Sequence, residues 1–472
     1  MRSDRSAIIL VGLGYGDEGK GTWTDYLART EPVHTVVRFN GGAQAGHNVV
    51  TPDGQHHTFA QLGSGTFVRG VNTHLSRFML LNPLRMLRED DELRALGVTD
   101  ALARTSVDRR ALVTTPFQVA ANRLRELSRG DARHGSCGMG IGETMADWLA
   151  YGDAMVSAGD LGDPAVLTRK LRRVRNLKLD QLREVLAALP ATDAVARERR
   201  ILADPDVIET CVRAYAHLAG LVRLVDDGYL GTLLDLAGTV VFEGAQGVLL
   251  DEWRGFHPYT TWSTTTFKNA LTLLDEQQYD GDVLRIGLLR AYMTRHGAGP
   301  FVSEDSSLRP LFTDPYNVTN DWQQGFRVGP FDAVAARYAV EVAGRPDLLA
   351  VSHLDQLAAA PERRIAVAYR CRGPAADLPT YADVEDGLIV RLRPSPSPED
   401  LAYQARLTDV LEQCEPVYRT VRCDRGAFLE VVQDELRVPI GLVSSGPTFR
   451  DKAVLPASAG VRSTPEPALR SA

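Results

Sequence analysis

Ala7-Ile8-Ile9-Leu10-Val11-Gly12-Leu13 is an apolar run that breaks into Gly14-Tyr15-Gly16-Asp17-Glu18-Gly19-Lys20-Gly21, and a helical pattern follows. Strand, glycine-rich loop and helix in that order make a P-loop. Glycines let backbone N–H groups turn inward on phosphate oxygens, the helix presents its positive end, and Lys20 adds a full charge. The loop departs from the common pattern at Gly21, where a Ser or Thr would hold magnesium, and it carries two acids of its own. A carboxylate beside bound phosphates is destabilising unless it binds the metal or handles a proton, so Asp17 is a candidate for both roles. A glycine-rich turn with a solvated acid is the bland alternative, and the strand–loop–lysine spacing argues against it.

Outward from this loop, apolar runs recur at Ala7–Leu13, His34–Phe39, Thr239–Phe242, Val283–Leu289, Leu348–Val351, Arg364–Tyr369 and Pro439–Val443, with helical patterns between many of them. This alternation predicts an α/β fold, a single large P-loop-like domain over residues 1–460 with a central, mainly parallel sheet. Leu-, Ala- and Arg-rich sequence at helical spacing over about 163–236 predicts a helical insert. Residues 461–472 offer little to bury and are expected to form a disordered tail.

Composition narrows the function class. With 44% hydrophobic and 24% charged residues the chain reads as soluble and globular, and no run approaches the roughly 18 apolar residues of a membrane span. A cytoplasmic protein is expected, since the N-terminal apolar run is too short for a secretion signal. A net charge of −7 gives no support to nucleic-acid backbone binding. The five cysteines show no paired spacing, so reduced thiols are expected rather than a disulfide framework or a zinc site.

The loop Gly14–Gly21 is followed by Gly41-Gly42-Ala43-Gln44-Ala45-Gly46-His47, and then in order by GSCGMGIG (135–142), FEGAQGVLLD (242–251), HPYTTWSTTT (257–266), TRHGAGPFVSE (294–304), GPFDAVAARYAV (329–340), SHLDQL (352–357) and PIGLVSSGP (439–447). The series resembles the adenylosuccinate synthetase family over about residues 7–452. The resemblance implies a carbon–nitrogen ligase in which GTP, as co-substrate with Mg2+, phosphorylates the 6-oxygen of IMP and the amine of aspartate displaces the phosphate. It implies Asp17, Lys20, His47 and Gln246 as the catalytic set. Asp17 would remove the N1 proton and bind the metal with the Gly46 carbonyl; His47 would stabilise the γ-phosphoryl group and the leaving phosphate; Gln246 would bond the base's oxygen. GTP would lie against Gly16, Asp17, Glu18, Gly19, Lys20, Gly46, His47, Asp355, Ser444 and Gly446, and the other substrates against Gln44, Cys137, Gln246, Thr261, Gln324 and Arg327. Asp355 can accept two hydrogen bonds from guanine that adenine cannot offer. A homodimer is implied as well.

Several positions depart from the family pattern. The arginine-rich run expected to hold aspartate reads Gln324-Gly325-Phe326-Arg327, and only Arg327 survives. The Arg of the expected TGRG segment is lost in Cys137-Gly138-Met139-Gly140, and Ala146–Asp153, where an arginine would reach across a dimer to the IMP phosphate, has no basic residue. A phenyl ring cannot replace a bidentate guanidinium. The expectation is therefore a ligase whose acceptor or amine has changed; if Arg133, Arg295, Arg327 or residues of the helical insert supply the missing charge from new positions, IMP and aspartate remain the substrates. The alternative is a nucleotide-binding regulator without turnover.

Overall fold

The apolar run that opens the chain becomes strand Arg5–Gly12 (β1), fifth of ten across a central sheet. In chain order the other nine are Val33–Arg38 (β2), Asn72–Leu75 (β3), Thr105–Asp108 (β4), Arg223–Val225 (β5), Gly238–Glu243 (β6), Asp282–Arg290 (β7), Leu348–Ser352 (β8), Ile440–Ser444 (β9) and Lys452–Val454 (β10). They lie in the order β10-β9-β8-β7-β1-β6-β2-β3-β4-β5. All neighbours are parallel except β10 against β9. The computed structural model describes residues 4–456 except 131, 132, 134, 313, 315–321, 323, 324, 360, 361, 374–377, 422 and 423, so the tail expected at 461–472 lies outside the described residues.

A parallel strand covered on both faces must be apolar throughout. Ala7, Ile9, Val11 and Leu13 accordingly pack on one side with Phe39, Phe242 and Val351, while Ile8 and Leu10 pack on the other with Trp23, Val36 and Leu288. Six of the seven expected runs are strands of this sheet. The seventh is not: Arg364–Tyr369 falls in strand Arg363–Cys371 of a second sheet, where it pairs antiparallel with Cys414–Val421. A single apolar run carries no information about which sheet it joins. The edge strands β3, β4 and β5 have only three or four residues and several polar side chains, too short for a period to show.

Between residues 163 and 236 lie helices Pro164–Gln181, Arg183–Ala188, Asp193–Ala203, Asp206–Leu221 and Tyr229–Leu234, interrupted by β5, which returns to the sheet edge beside β4. Leu167, Leu171 and Val174 repeat at helical spacing and are buried with Tyr215, Leu218, Phe117 and Leu124. No helix among the described residues is long and apolar enough to cross a membrane. Cys137, Cys211, Cys371 and Cys414 are free thiols.

The carboxyl ends of β1, β6, β7, β8 and β9 open toward one side, where ligands of such sheets bind. A short antiparallel pair, Met293–His296 with Phe326–Gly329, walls this side. It leads through Phe331–Asp332 into helix Ala333–Ala343. Asp332 caps that helix by accepting the Val334 and Ala335 N–H groups, and Tyr369 Oη donates to it at 2.8 Å from the second sheet. Asp332→Ala removes the cap and orphans a buried phenol, which should cost about 3 kcal/mol. Asp332→Asn should cost less, and urea unfolding compares the two.

Candidate active site

The loop after β1 reverses through left-handed backbone at Gly16, Asp17 and Gly19, with φ of 99°, 63° and 88°. Glycine adopts this region freely and Asp tolerates it. The turn sets the Asp17 and Lys20 side chains along a cleft of about 880 Å3 at the carboxyl ends of the strands. Glu18 behaves differently from the sequence expectation. Its side chain turns inward and is 2% exposed: one oxygen accepts the Gly14 and Gly16 N–H groups at 3.0 and 2.8 Å, and the other receives Lys20 Nζ at 2.7 Å. The Glu18 carboxylate therefore holds the loop and does not line the cleft, a correction to its placement against the nucleotide.

Asp17 is flanked by cations. Its Oδ2 lies 3.2 Å from His296 Nε2, and Arg290 Nη1 reaches its carbonyl at 3.3 Å. Burial by itself would raise this carboxyl, but the His296 hydrogen bond and the charges of His296, Arg290 and Lys20 outweigh it and bring the pKa down to about 2. Asp17 is thus ionised at neutral pH and able to accept a proton.

His47 begins the short strand His47–Val50 and donates from Nδ1 to Glu243 Oε1 at 2.7 Å. Glu243 ends β6 beside Arg38, its register partner on β2. Ser64 secures the carboxylate through both its N–H, at 2.9 Å, and its hydroxyl. Burial would raise Glu243, yet the charges of His47 and Arg38 and the hydrogen bonds from His47 and Ser64 lower it to about 2. Burial lowers the His47 imidazole to about 4 against the pull of Glu243. The carboxylate is the charged partner of the pair, and it fixes the ring so that Nε2, buried without a partner, remains available to a ligand.

Among the described residues, the side-chain amides of two glutamines of the cleft also lack hydrogen-bond partners. The side-chain amides of Gln44 and Gln246 are buried with neither oxygen nor nitrogen hydrogen-bonded, and both line the cleft. Buried amides are costly unless paired, so their bonds are left for a ligand. Gln246 sits at φ 59°, and its amide lies against Gly41. At one rim stand Asp355, Ser444 and Gly446 from the ends of β8 and β9; Gly46, Cys137 and Thr261 line the remainder. Burial pushes the Cys137 thiol up to about 11, so it is neutral there.

Arg327, although close to this side, is not in the cleft lining; its guanidinium donates to the Gly297 and Gly299 carbonyls and to Glu304. Gln324 lies outside the described residues. Glu243, His296 and Arg290 are site residues that sequence reading did not pick out. An acid ending a fully buried strand was the available signal for Glu243. His296 lay unremarked within a quoted block, and nothing local marks Arg290.

The family model of adenylosuccinate synthetase matches residues 9–453. Adenylosuccinate synthetase of Synechocystis sp. is 30% identical over 482 aligned positions, covering 95% of this chain and 94% of its own. That of Saccharopolyspora erythraea is 34% identical over 376, covering 78% and 82%. The structure of fully ligated adenylosuccinate synthetase from Plasmodium falciparum aligns with a TM-score of 0.75 at 19% identity, over 96% of this chain and 100% of that one. Cyanophage S-2L succinoaminodeoxyadenylate synthetase, bound to dGMP and dATP, aligns at 0.58 and 16% identity, over 96% of both chains. At those identities the two structures speak for the fold. The family match spans nearly all of the described chain and includes every loop that builds the cleft, so the chain belongs to the adenylosuccinate synthetase family of ligases.

Proposed function

We propose that this ligase uses GTP and magnesium to phosphorylate a carbonyl oxygen, the 6-oxo group of IMP or of a related purine nucleoside or nucleotide, and then replaces it with an amine. The observation that carries the reading is the convergence of Asp17, Lys20, His47 and the two unpartnered amides Gln44 and Gln246 in one cleft. Phosphoryl transfer asks for positioning and charge stabilisation, and these groups supply both.

In the proposed sequence the ionised Asp17 takes the N1 proton of the acceptor, and the resulting oxyanion attacks the γ-phosphorus of GTP. Gln246 orients that oxygen by donating from its amide. Lys20 faces the charge that gathers on the transferring group, and so does His47 once the bound phosphates have favoured a proton on its Nε2, with Glu243 holding the imidazole in place. An amine then displaces phosphate at the activated carbon. Among the described residues no three His, Cys, Asp or Glu side chains are arranged to hold a metal. Magnesium takes one or two protein oxygens and completes its shell with phosphate and water. The Asp17 carboxylate and Gly46 carbonyl would hold it, and when bound it would offset phosphate charge. Asp355 at the rim would read the guanine edge, with Ser444 and Gly446 beside it. Membership of a family whose curated relatives are adenylosuccinate synthetases supports a purine acceptor.

Phosphate release should require GTP, magnesium and an acceptor together. Asp17→Asn and His47→Asn should each lower kcat by about 1000-fold, and Glu243→Gln, which loosens the imidazole without removing it, by about 30-fold. A coupled phosphate assay with IMP and inosine, alongside circular dichroism of each variant, reads these effects. GTP binding without turnover on any acceptor would instead make the chain a nucleotide-binding regulator. Asp355→Asn should reduce the preference for GTP over ATP on the order of 100-fold, measured as a ratio of kcat/KM values.

A further inference from the structure

Two of the free thiols meet on neighbouring strands of the second sheet. Strand Arg363–Cys371 ends at one and strand Cys414–Val421 begins at the other. The antiparallel register sets Cys371 opposite Cys414, next to the pairs Arg370 with Glu415 and Tyr369 with Pro416. Opposed residues in such a ladder either exchange backbone hydrogen bonds or do not, and the second kind stand closer, with Cα atoms about 4.5 Å apart. The Arg372 N–H donates to the Gln413 carbonyl at 2.9 Å, one residue beyond the pair on each strand. Residues whose backbone groups point across the ladder alternate with residues whose groups point away, so Cys371 and Cys414 are a pair of the closer kind.

A separation of that size lies within the span of a disulfide, roughly 4.4–6.8 Å between Cα atoms, and directly opposed side chains leave the sheet on the same face. Both cysteines face the main core, where each is partly buried against the cluster that holds Tyr369, Val410 and Leu411. Cys414 Sγ donates to the Val410 carbonyl at 3.2 Å, and Cys371 is within hydrogen-bonding reach of it. Burial and this neighbour push the Cys414 thiol up, which makes Cys371 the sulfur that reacts first. The other described cysteines are placed differently: Cys137 lines the cleft, and Cys211 is buried on helix Asp206–Leu221.

A bond between these two sulfurs would close a loop. Between them lie the hairpin Ala382–Glu385 with Leu388–Leu392 and the helix Leu401–Glu412. The hairpin joins strand Arg363–Cys371 at Ile389 opposite Tyr369. A cross-link at the base of such an excursion restricts the unfolded chain more than the folded one, and so favours the fold. Neither cysteine lines the cleft, so the bond would act on stability and leave the chemistry of the site alone.

We propose that Cys371 and Cys414 are a redox-active pair that a low-molecular-weight disulfide converts to a cross-strand disulfide, a reversible staple at the base of the 372–413 excursion. The Cys371 thiolate attacks one sulfur of the small disulfide, forming a mixed disulfide and releasing one small thiol. The Cys414 sulfur then attacks the Cys371 sulfur, the bond to the second small thiol breaks, and that thiol leaves. Two protons and two electrons pass from the protein thiols to the small disulfide, which becomes two thiols. An excess of small thiol runs the sequence backward.

The test takes the full-length protein, reduced and freed of reductant, and incubates it with oxidised glutathione. Intact mass and a non-reducing peptide map are then read. The expected result is a peptide pair joining Cys371 to Cys414, reversed by dithiothreitol, with about two mass units lost at that link and no glutathione retained on either cysteine. Cys414→Ser should stop the sequence halfway and keep one glutathione on Cys371, whereas Cys371→Ser should give no link. The oxidised protein should melt about 3 °C or more above the reduced one, a difference absent from both variants. Wild-type protein in which Cys371 and Cys414 stay unlinked, or in which either is joined to Cys423 instead, would overturn the proposal. A link formed without the rise in melting temperature would overturn the staple.

Discussion

Parallel pairing of the first strand with two segments that lie far along the chain is the constraint from which the site follows. Arg5–Gly12 is bonded on one side to Gly238–Glu243 and on the other to Asp282–Arg290. Because all three run in the same direction, their carboxyl ends emerge together. The loops that carry Asp17, Gln246 and His296 are therefore neighbours, although more than two hundred residues separate the first from the others. The next strand outward brings Arg38 level with Glu243, and the chain leaving it delivers His47 to the same place.

Charge in this cleft is buried, and buried ions persist only when paired. The protein meets that condition with its own residues: Lys20 with Glu18, Arg290 with Asp314, and Glu243 with His47, Ser64 and the field of Arg38. Asp17 is kept ionised by the same economy. What is left unpaired is informative for that reason. The Gln44 and Gln246 amides, His47 Nε2 and Arg290 Nε are polar groups that the fold has desolvated without satisfying, and a ligand is the partner that completes them.

The phosphate side of the cleft differs in character from the wall opposite. The strand pair next to Asp17 places His296 directly across from Phe326, so the two side chains share one surface. A guanidinium at position 326 would have to be buried in an apolar cluster against an imidazole. The phenyl ring at position 326 thus fits the apolar cluster in which it is buried.

Much of this was legible in the residues taken in order. The run 7–13 with its glycine loop predicted a parallel sheet and an anion site, since a covered strand must be apolar and a phosphate loop needs glycines, and both are local requirements. The same reading singled out residues most of which line the cleft, but Arg327 is turned to the Gly297 and Gly299 carbonyls, and Glu18 turns inward on the N–H groups it finds in the folded loop. It assigned Arg364–Tyr369 to the wrong sheet and overlooked strands of three or four residues, because pairing partners are chosen across the whole chain. Glu243, His296 and Arg290 became visible only through distances between segments remote in sequence. The sequence by itself determined which chemistry the chain carries, because that rests on residue types at fixed spacing. Only the tertiary structure decided which charges are already spent and which remain for a ligand, because neutralisation depends on proximity in space.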